Sequence, residues 1–228
     1  MEFPEDFNQL ELLDTHGSLI PRGARSSWTA SKDDDTEVDE EDHSEEWYQK
    51  KEDMLKDQPK ELILWAAEHN LLPTVVRLLT ADPSLVHSCD EDGYTPLHRA
   101  AYSGHVEVVR ALLASGSSVD PRTIDGWTPL HSACRWSHVA VASVLLQHGA
   151  ELNAQTNGGL TPLHLAASYT SSSAMDSTHV LELLLSKRNL RPGLRSSSGE
   201  TAGDVARRSG PHYFLFAMVE DCVGVVPS

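Results

Sequence analysis

Apolar residues recur along the chain at helical spacing, in short stretches that are separated by Gly and polar residues. One such face is formed by Val106, Val108, Val109, Leu112 and Leu113. This spacing predicts an amphipathic helix that packs against a core. Gly104 precedes the stretch and Gly116 follows it. Because a left-handed cap costs little only for Gly, both positions predict helix ends.

A longer period is superimposed on the helical one. Three strings read Thr-Pro-Leu-His and lie 33 residues apart: Thr95–His98, Thr128–His131 and Thr161–His164. Each is followed by a pair of small residues, which allows neighbouring helices to approach closely. Thr is suited to cap a helix, and Pro fits the first helical position, where its missing N–H would have no partner in any case. The sequence therefore predicts a repeated helix pair.

Two degraded copies flank the three complete ones, at Leu62–Ala67 and Thr201–Ala206. A terminal repeat faces water on one side, so its pattern must change. The last copy begins 40 residues after Thr161, seven more than the period. We expect most of this excess to form a loop at Tyr169–Thr178, between the two helices of one repeat.

These phased strings resemble the ankyrin repeat, and the resemblance covers Gln58 to Val219. It implies an all-α solenoid of about five helix-turn-helix repeats with β-hairpin fingers. It also implies that the histidines of the strings bond backbone between adjacent turns, which argues against a metal site. The expected repeats are an N-terminal capping repeat at 59–92, three further repeats at 93–125, 126–158 and 159–198, and a C-terminal capping repeat at 199–220.

Charge divides the chain before the repeats begin. The formal net charge is −16, and Asp33–Glu46 contains ten acids and no Lys or Arg. Such a run cannot bury enough apolar area to fold, so we expect disorder. The predicted segments are an arm at 1–30, an acidic linker at 31–46, a lead-in helix at 47–58 and a tail at 221–228. The acidity argues against direct binding of nucleic acid or of an anionic membrane.

Candidate chemistry is sparse. Phosphate loops, metalloprotease motifs and nucleophile elbows are missing from the sequence, so we expect no enzyme and no cofactor. The three cysteines, Cys89, Cys134 and Cys222, form no Cys-x-x-Cys pair, and we expect no metal site. Cys134 occupies a small-residue position of the repeat and is expected to be buried. The odd cysteine count and the lack of an Asn-x-Ser/Thr acceptor indicate a reducing compartment. The start of the chain does not read as a signal peptide.

The ankyrin resemblance implies a concave face for protein partners, lined by finger tips and the exposed side of each first helix. The residues carried over to it are Tyr94, Tyr102, Trp127, Arg135, Trp136, Leu160 and Tyr169. Aromatic residues and Arg anchor interfaces, which favours this hypothesis. The alternative is that one or two of these rings pack on the neighbouring finger.

A second candidate lies in the arm, where apolar residues alternate with acids. Its members are Phe3, Phe7, Leu10, Leu12 and Leu13. Acid-flanked aromatics and leucines are typical of segments that fold onto a partner. Two alternatives stay open: the arm packs on the chain's own first repeat, or it is a solvating tail.

The strings Phe7–Leu13 and Asp125–His131, with the acidic arm, look like those of a vertebrate branch of the family that is regarded as nuclear. This resemblance implies a positive role in transcription for a monomeric protein-binding adaptor in the nucleus, with the cytoplasm as a second location. The rival hypothesis is an acidic chaperone or shield for basic client proteins.

Overall fold

The computed structural model describes residues 44–168, 174–209 and 213–216 of the chain. The predicted arm motif, most of the acidic linker, the ring of Tyr169 and the tail lie outside these residues. The described part is helical, as expected for an all-α repeat protein. Its bridges outside helices are limited, within these ranges, to one isolated pair between Arg195 and Thr201. No helix in this part is both long enough and apolar enough to cross a bilayer.

The helices follow one another as hairpin pairs. In chain order they are α1 (Glu45–Leu55), α2 (Pro59–Glu68), α3 (Leu72–Ala81), a 3₁₀ helix (Pro83–His87), α4 (Pro96–Ser103), α5 (Val106–Ala114), α6 (Pro129–Arg135), α7 (Val139–Gln147), α8 (Pro162–Ser168), α9 (Ala174–Leu185) and α10 (Ala202–Ser209). Helices α2, α4, α6, α8 and α10 pack successively on one another and form the inner row, while α3, α5, α7 and α9 form the outer row.

Each complete repeat starts its inner helix with the same chemistry. The Thr95 backbone N–H donates to His98 Nδ1 at 3.1 Å, and Pro96 occupies the first helical position. In α10, which no further described repeat follows, Asp204 replaces the histidine. Its carboxylate accepts the Thr201 N–H at 3.0 Å and the Thr201 hydroxyl at 2.8 Å. The hydrogen bonds from Thr201 hold the pKa of Asp204 below its usual value.

The core runs through the stack along equivalent positions. Its largest buried side chains include Ile63, Leu97, Leu112, Leu130, Leu145, Leu163, Leu181 and Leu184. Full burial of each such side chain contributes about 2 kcal/mol. Cys134 is fully buried among them, which confirms its predicted role as a small apolar residue. This burial raises the pKa of its thiol.

The seven extra residues of the fourth repeat are not all loop. Helix α8 ends at Ser168 and α9 already begins at Ala174, so the expectation of a loop over 169–178 is wrong for 174–178. Helix α9 has 12 residues, whereas α5 and α7 have nine each. Part of the insertion therefore lengthens the outer helix. Residues that join a helix have partners for their backbone N–H and C=O groups, which favours this position for them.

The fingers are hairpin turns, each closed by a backbone hydrogen bond between residues four apart. The bonds are Asp90 N to Tyr94 O, Thr123 N to Trp127 O, Thr156 N to Leu160 O and Ser196 N to Glu200 O, at 2.9–3.1 Å. Neighbouring fingers are joined in turn by Ile124 N to Asp92 O, Asn157 N to Asp125 O and Ser197 N to Gly158 O, at 2.8–2.9 Å. The fingers thus form one hydrogen-bonded row.

Candidate protein-binding face

A ladder of three buried histidines ties each inner helix to the next finger. The Nε2 atoms of His98, His131 and His164 each lie 3.1 Å from a carbonyl of the following repeat, that of Trp127, Leu160 or Glu200. Since Nδ1 accepts the N–H of the capping Thr, Nε2 carries the proton and donates. Burial lowers the pKa of His98 and His131 to about 4, so both rings are neutral near pH 7. The backbone-bonding role implied by the resemblance is present in all three repeats.

Two further histidines, His105 and His138, hold the opposite end of the inner helices. His105 Nε2 lies 2.8 Å from the carbonyl of Glu68, and His138 Nε2 lies 2.8 Å from the carbonyl of Tyr102. Each therefore joins the start of an outer helix to the inner helix of the preceding repeat. Desolvation lowers the pKa of His105. Sequence reasoning gave neither residue this role, although they too are 33 residues apart.

The aromatic patch, which consists of Tyr102, Arg135 and Trp136, lies at this fixed end. The rings of Tyr102 and Trp136 meet edge to face, with centroids 5.1 Å apart. The Arg135 guanidinium carbon is 5.4 Å from the centroid of the Trp136 ring. Tyr102 is 39% exposed, whereas Arg135, at the end of α6, and Trp136, which caps that helix, are half-buried. The structure therefore brings three of the seven predicted face residues together on two adjacent repeats.

The predicted residues at the finger bases are placed differently. Trp127 is only 5% exposed, so the prediction of an accessible ring at this position is wrong. Its carbonyl accepts the bond from His98 and its N–H donates to Thr123 Oγ1 at 3.0 Å, which holds the residue between two repeats. Leu160 is half-buried, and its carbonyl accepts the bond from His131.

Tyr94 belongs to a charged network that connects the first finger with the inner helices. Arg99 lies 5.3 Å from the centroid of the Tyr94 ring. Its guanidinium bonds the carboxylates of Asp90 at 2.6 Å and Glu68 at 3.4 Å, and the side chain is 17% exposed. Burial raises the pKa of the half-buried Tyr94 to about 12. The network therefore links the first finger, through Arg99 of α4, to Glu68 at the end of α2.

A third feature is the tip row, which consists of Glu91, Asp92, Ile124, Asp125 and Asn157. Ile124 is 68% exposed, and its N–H and carbonyl bond Asp92 O and Asn157 Nδ2 respectively. Sequence reasoning did not select these residues. A sequence signal was present, because Thr123 and Thr156 are 33 residues apart and precede Ile124 and Asn157. In the structure the hydroxyl of each Thr closes its finger.

Across residues 44–168, 174–209 and 213–216, no three His, Cys, Asp or Glu side chains converge as metal ligands would. The histidines of the ladder bond carbonyls through one ring nitrogen and accept from Thr through the other. The aromatic patch and the tip row present apolar and charged side chains at the surface.

Comparison with known proteins agrees with this geometry. The family model for ankyrin repeats in three copies matches residues 63–156 and 118–195, together more than half of the chain. The chain is similar to ankyrin repeat domain-containing protein 49 of Mus musculus (60% identity), Bos taurus (56%) and Homo sapiens (54%), over 100% of this chain and 92% of each relative. Ankyrin repeat proteins are interaction modules, and these matches indicate no catalytic family. On its repeat, its stacked helix pairs and these matches, the chain belongs to the ankyrin repeat family.

Proposed function

We propose that the chain is a non-enzymatic nuclear adaptor that positively regulates transcription by holding a protein partner on its aromatic patch. The observation that carries the proposal is the Tyr102–Trp136 ring pair, which meets at 5.1 Å on the surface of two repeats. Rings and guanidinium groups supply large contact area with few rotatable bonds, so they dominate binding energy in interfaces. The adaptor acts as a monomer, without direct contact to nucleic acid or membrane.

The location of the patch supports a role in binding over a role in folding. The backbone of Tyr102 is held by His138, whereas its side chain is exposed. The fold thus uses the carbonyl of this residue and leaves much of the ring in contact with water. An aromatic pair that is partly exposed on a rigid scaffold is the arrangement that interaction sites favour.

A reporter assay that compares the wild type with a variant lacking the Tyr102 and Trp136 side chains tests the proposal. The full chain is tethered to a reporter promoter through a fused DNA-binding domain, and the same chain with a fluorescent tag is localised in cells. We expect nuclear fluorescence and reporter activation, and we expect Tyr102→Ala with Trp136→Ala to reduce activation at least tenfold.

The matched control replaces two exposed apolar residues elsewhere, Val76→Ala and Phe214→Ala, which are 47% and 54% exposed. This control should activate like the wild type. Full activation by the patch variant, with unchanged thermal unfolding, would show that the patch is not the binding site. Exclusion of the tagged chain from the nucleus would refute the proposed location.

The acidic linker supports a rival function. Ten acids between Asp33 and Glu46 suit a shield for basic clients, because like charges held along one segment attract a polycation at low salt. Deletion of residues 31–46 separates the two functions, with polylysine as the probe client. The shield predicts that polylysine binding and reporter activation are lost together, whereas the adaptor predicts that activation survives the deletion.

A further inference from the structure

The tip row presents one apolar side chain between carboxylates. Ile124 is 68% exposed, and its N–H donates to Asp92 O at 2.9 Å. The residue after it is Asp125, and Glu91 precedes Asp92, so three acids lie next to Ile124 or next to its hydrogen-bond partner along the backbone. Glu91 and Asp92 are exposed and Asp125 is half-buried.

The nearby arginines do not fill this acidic surface. Arg99 is engaged with Asp90 and Glu68. Arg122 extends toward the third finger, where its Nη1 donates to the carbonyl of Gln155 at 2.9 Å. The first two fingers therefore offer negative charge next to Ile124, and a phosphate-bearing ligand would be repelled there.

We infer that the tip row binds a Lys or Arg side chain of the protein partner. The aliphatic stem of that side chain covers Ile124, and its cationic head lies against Glu91, Asp92 and Asp125. Long basic side chains bury their stem on apolar surface and keep the charge at a polar edge, which is the arrangement that the tip row matches. The inference rests on the proposed function, because it names the partner class for the same face.

The distance to the aromatic patch sets the form of the partner. The fingers precede the inner helices and the patch lies where these helices end. Helix α4 has eight residues and spans about 12 Å at 1.5 Å per residue. The tip row lies beyond the start of this helix, so the two surfaces are at least about that far apart. An extended chain rises about 3.3 Å per residue. The partner is therefore a short extended segment with a basic residue and, at least about four positions away, an apolar residue that contacts Tyr102 and Trp136.

Selection from a random twelve-residue peptide phage library tests this inference on the purified full chain. Four proteins are used: the wild type, a tip variant (Glu91→Lys, Asp92→Lys), a patch variant (Tyr102→Ala, Trp136→Ala) and a charge control (Glu107→Lys, Glu182→Lys). The control residues are exposed on outer helices α5 and α9, and they change the net charge as much as the tip variant does. Attraction of basic peptides to the acidic linker is therefore the same in both.

We expect peptides selected on the wild type and lost on the patch variant to carry Lys or Arg beside an apolar residue. Their affinity, measured by fluorescence anisotropy with synthetic peptides, should fall at least tenfold on the tip variant and less than twofold on the control. Peptides that depend on the patch but bind the tip variant and the control equally would overturn the inference and leave the proposed function intact. A selection that yields no peptide dependent on the patch would overturn both.

Discussion

The finger row depends on how closely neighbouring turns approach, and the substitution Gly126→Ala tests that approach. Gly126 has a φ of +79°, and a Cβ there would lie 2.8 Å from Asn157 Oδ1 and 3.0 Å from Asn157 N. That backbone N–H donates to Asp125 O at 2.9 Å. The second finger therefore cannot accept the methyl group unless the third finger moves and stretches this hydrogen bond.

Gly116 offers the matched control for the cost of the backbone conformation alone. Its φ is +90°, and a Cβ there would meet nothing within 4 Å. A left-handed conformation costs a residue with a Cβ about 1–2 kcal/mol, which is the expected loss for Gly116→Ala. Gly126→Ala should lose the same amount plus about 1–3 kcal/mol for overpacking. The difference between the two variants is the energetic signature of contact between fingers.

Urea denaturation followed by far-UV circular dichroism gives the free energy of unfolding for the wild type and both variants. The expected order of stability is wild type, then Gly116→Ala, then Gly126→Ala. Equal losses in the two variants would refute the close approach of the fingers. A larger loss at Gly116 would show that its surroundings are not open.

Three further predictions concern stability. As pH falls from about 6.5 toward 4, the unfolded chain protonates histidines that stay neutral when folded, because the folded pKa of His98 and of His131 is about 4. For each of these two histidines, the free energy of unfolding should fall by about 1 kcal/mol per pH unit of acidification in that window. The urea midpoint of His131→Gln should therefore depend less steeply on pH than that of the wild type. Ser132→Ala should raise stability by about 1 kcal/mol, because the Ser132 hydroxyl is buried without a hydrogen-bond partner among the described residues; a loss in thermal unfolding would contradict this. Trp127→Ala should cost about 3 kcal/mol or more, whereas Tyr102→Ala should cost less than about 1 kcal/mol, and similar melting temperatures for the two would show that their burial is misassigned.

Much of the fold could be predicted because the repeat fixes it locally. Thr and Pro at the start of an inner helix satisfy or remove the first amide groups, and this chemistry depends only on neighbours in sequence. The bonds of His105 and His138 were missed for the opposite reason. Their partners, the carbonyls of Glu68 and Tyr102, lie 37 and 36 residues away. Every residue has a backbone carbonyl, so residue types alone do not show which carbonyl a histidine bonds.

The candidate face was predictable only in part, because repeat position does not determine which way a side chain points. Tyr102 and Trp127 are both aromatic and both were placed on the face. The structure exposes 39% of the first and 5% of the second. The length of the fourth outer helix was also misjudged, since a Ser-rich composition favours loops but does not forbid a helix once α9 can pack on α7 and α8.

Tyr102 and Trp127 together explain how the stack can keep its fold while side chains on its binding face are exchanged. Each gives its carbonyl to a histidine of a neighbouring repeat, at 2.8 Å for Tyr102 and 3.1 Å for Trp127. Trp127 stands before its inner helix, where the ring is enclosed, so its side chain contributes to the core. Tyr102 stands near the end of its helix, where the same kind of backbone bond fixes its position without enclosing the ring. Because His138 anchors residue 102 through its main-chain carbonyl, the side chain at this position can be exchanged with little effect on the stack. Binding specificity can then change without a matching change in stability.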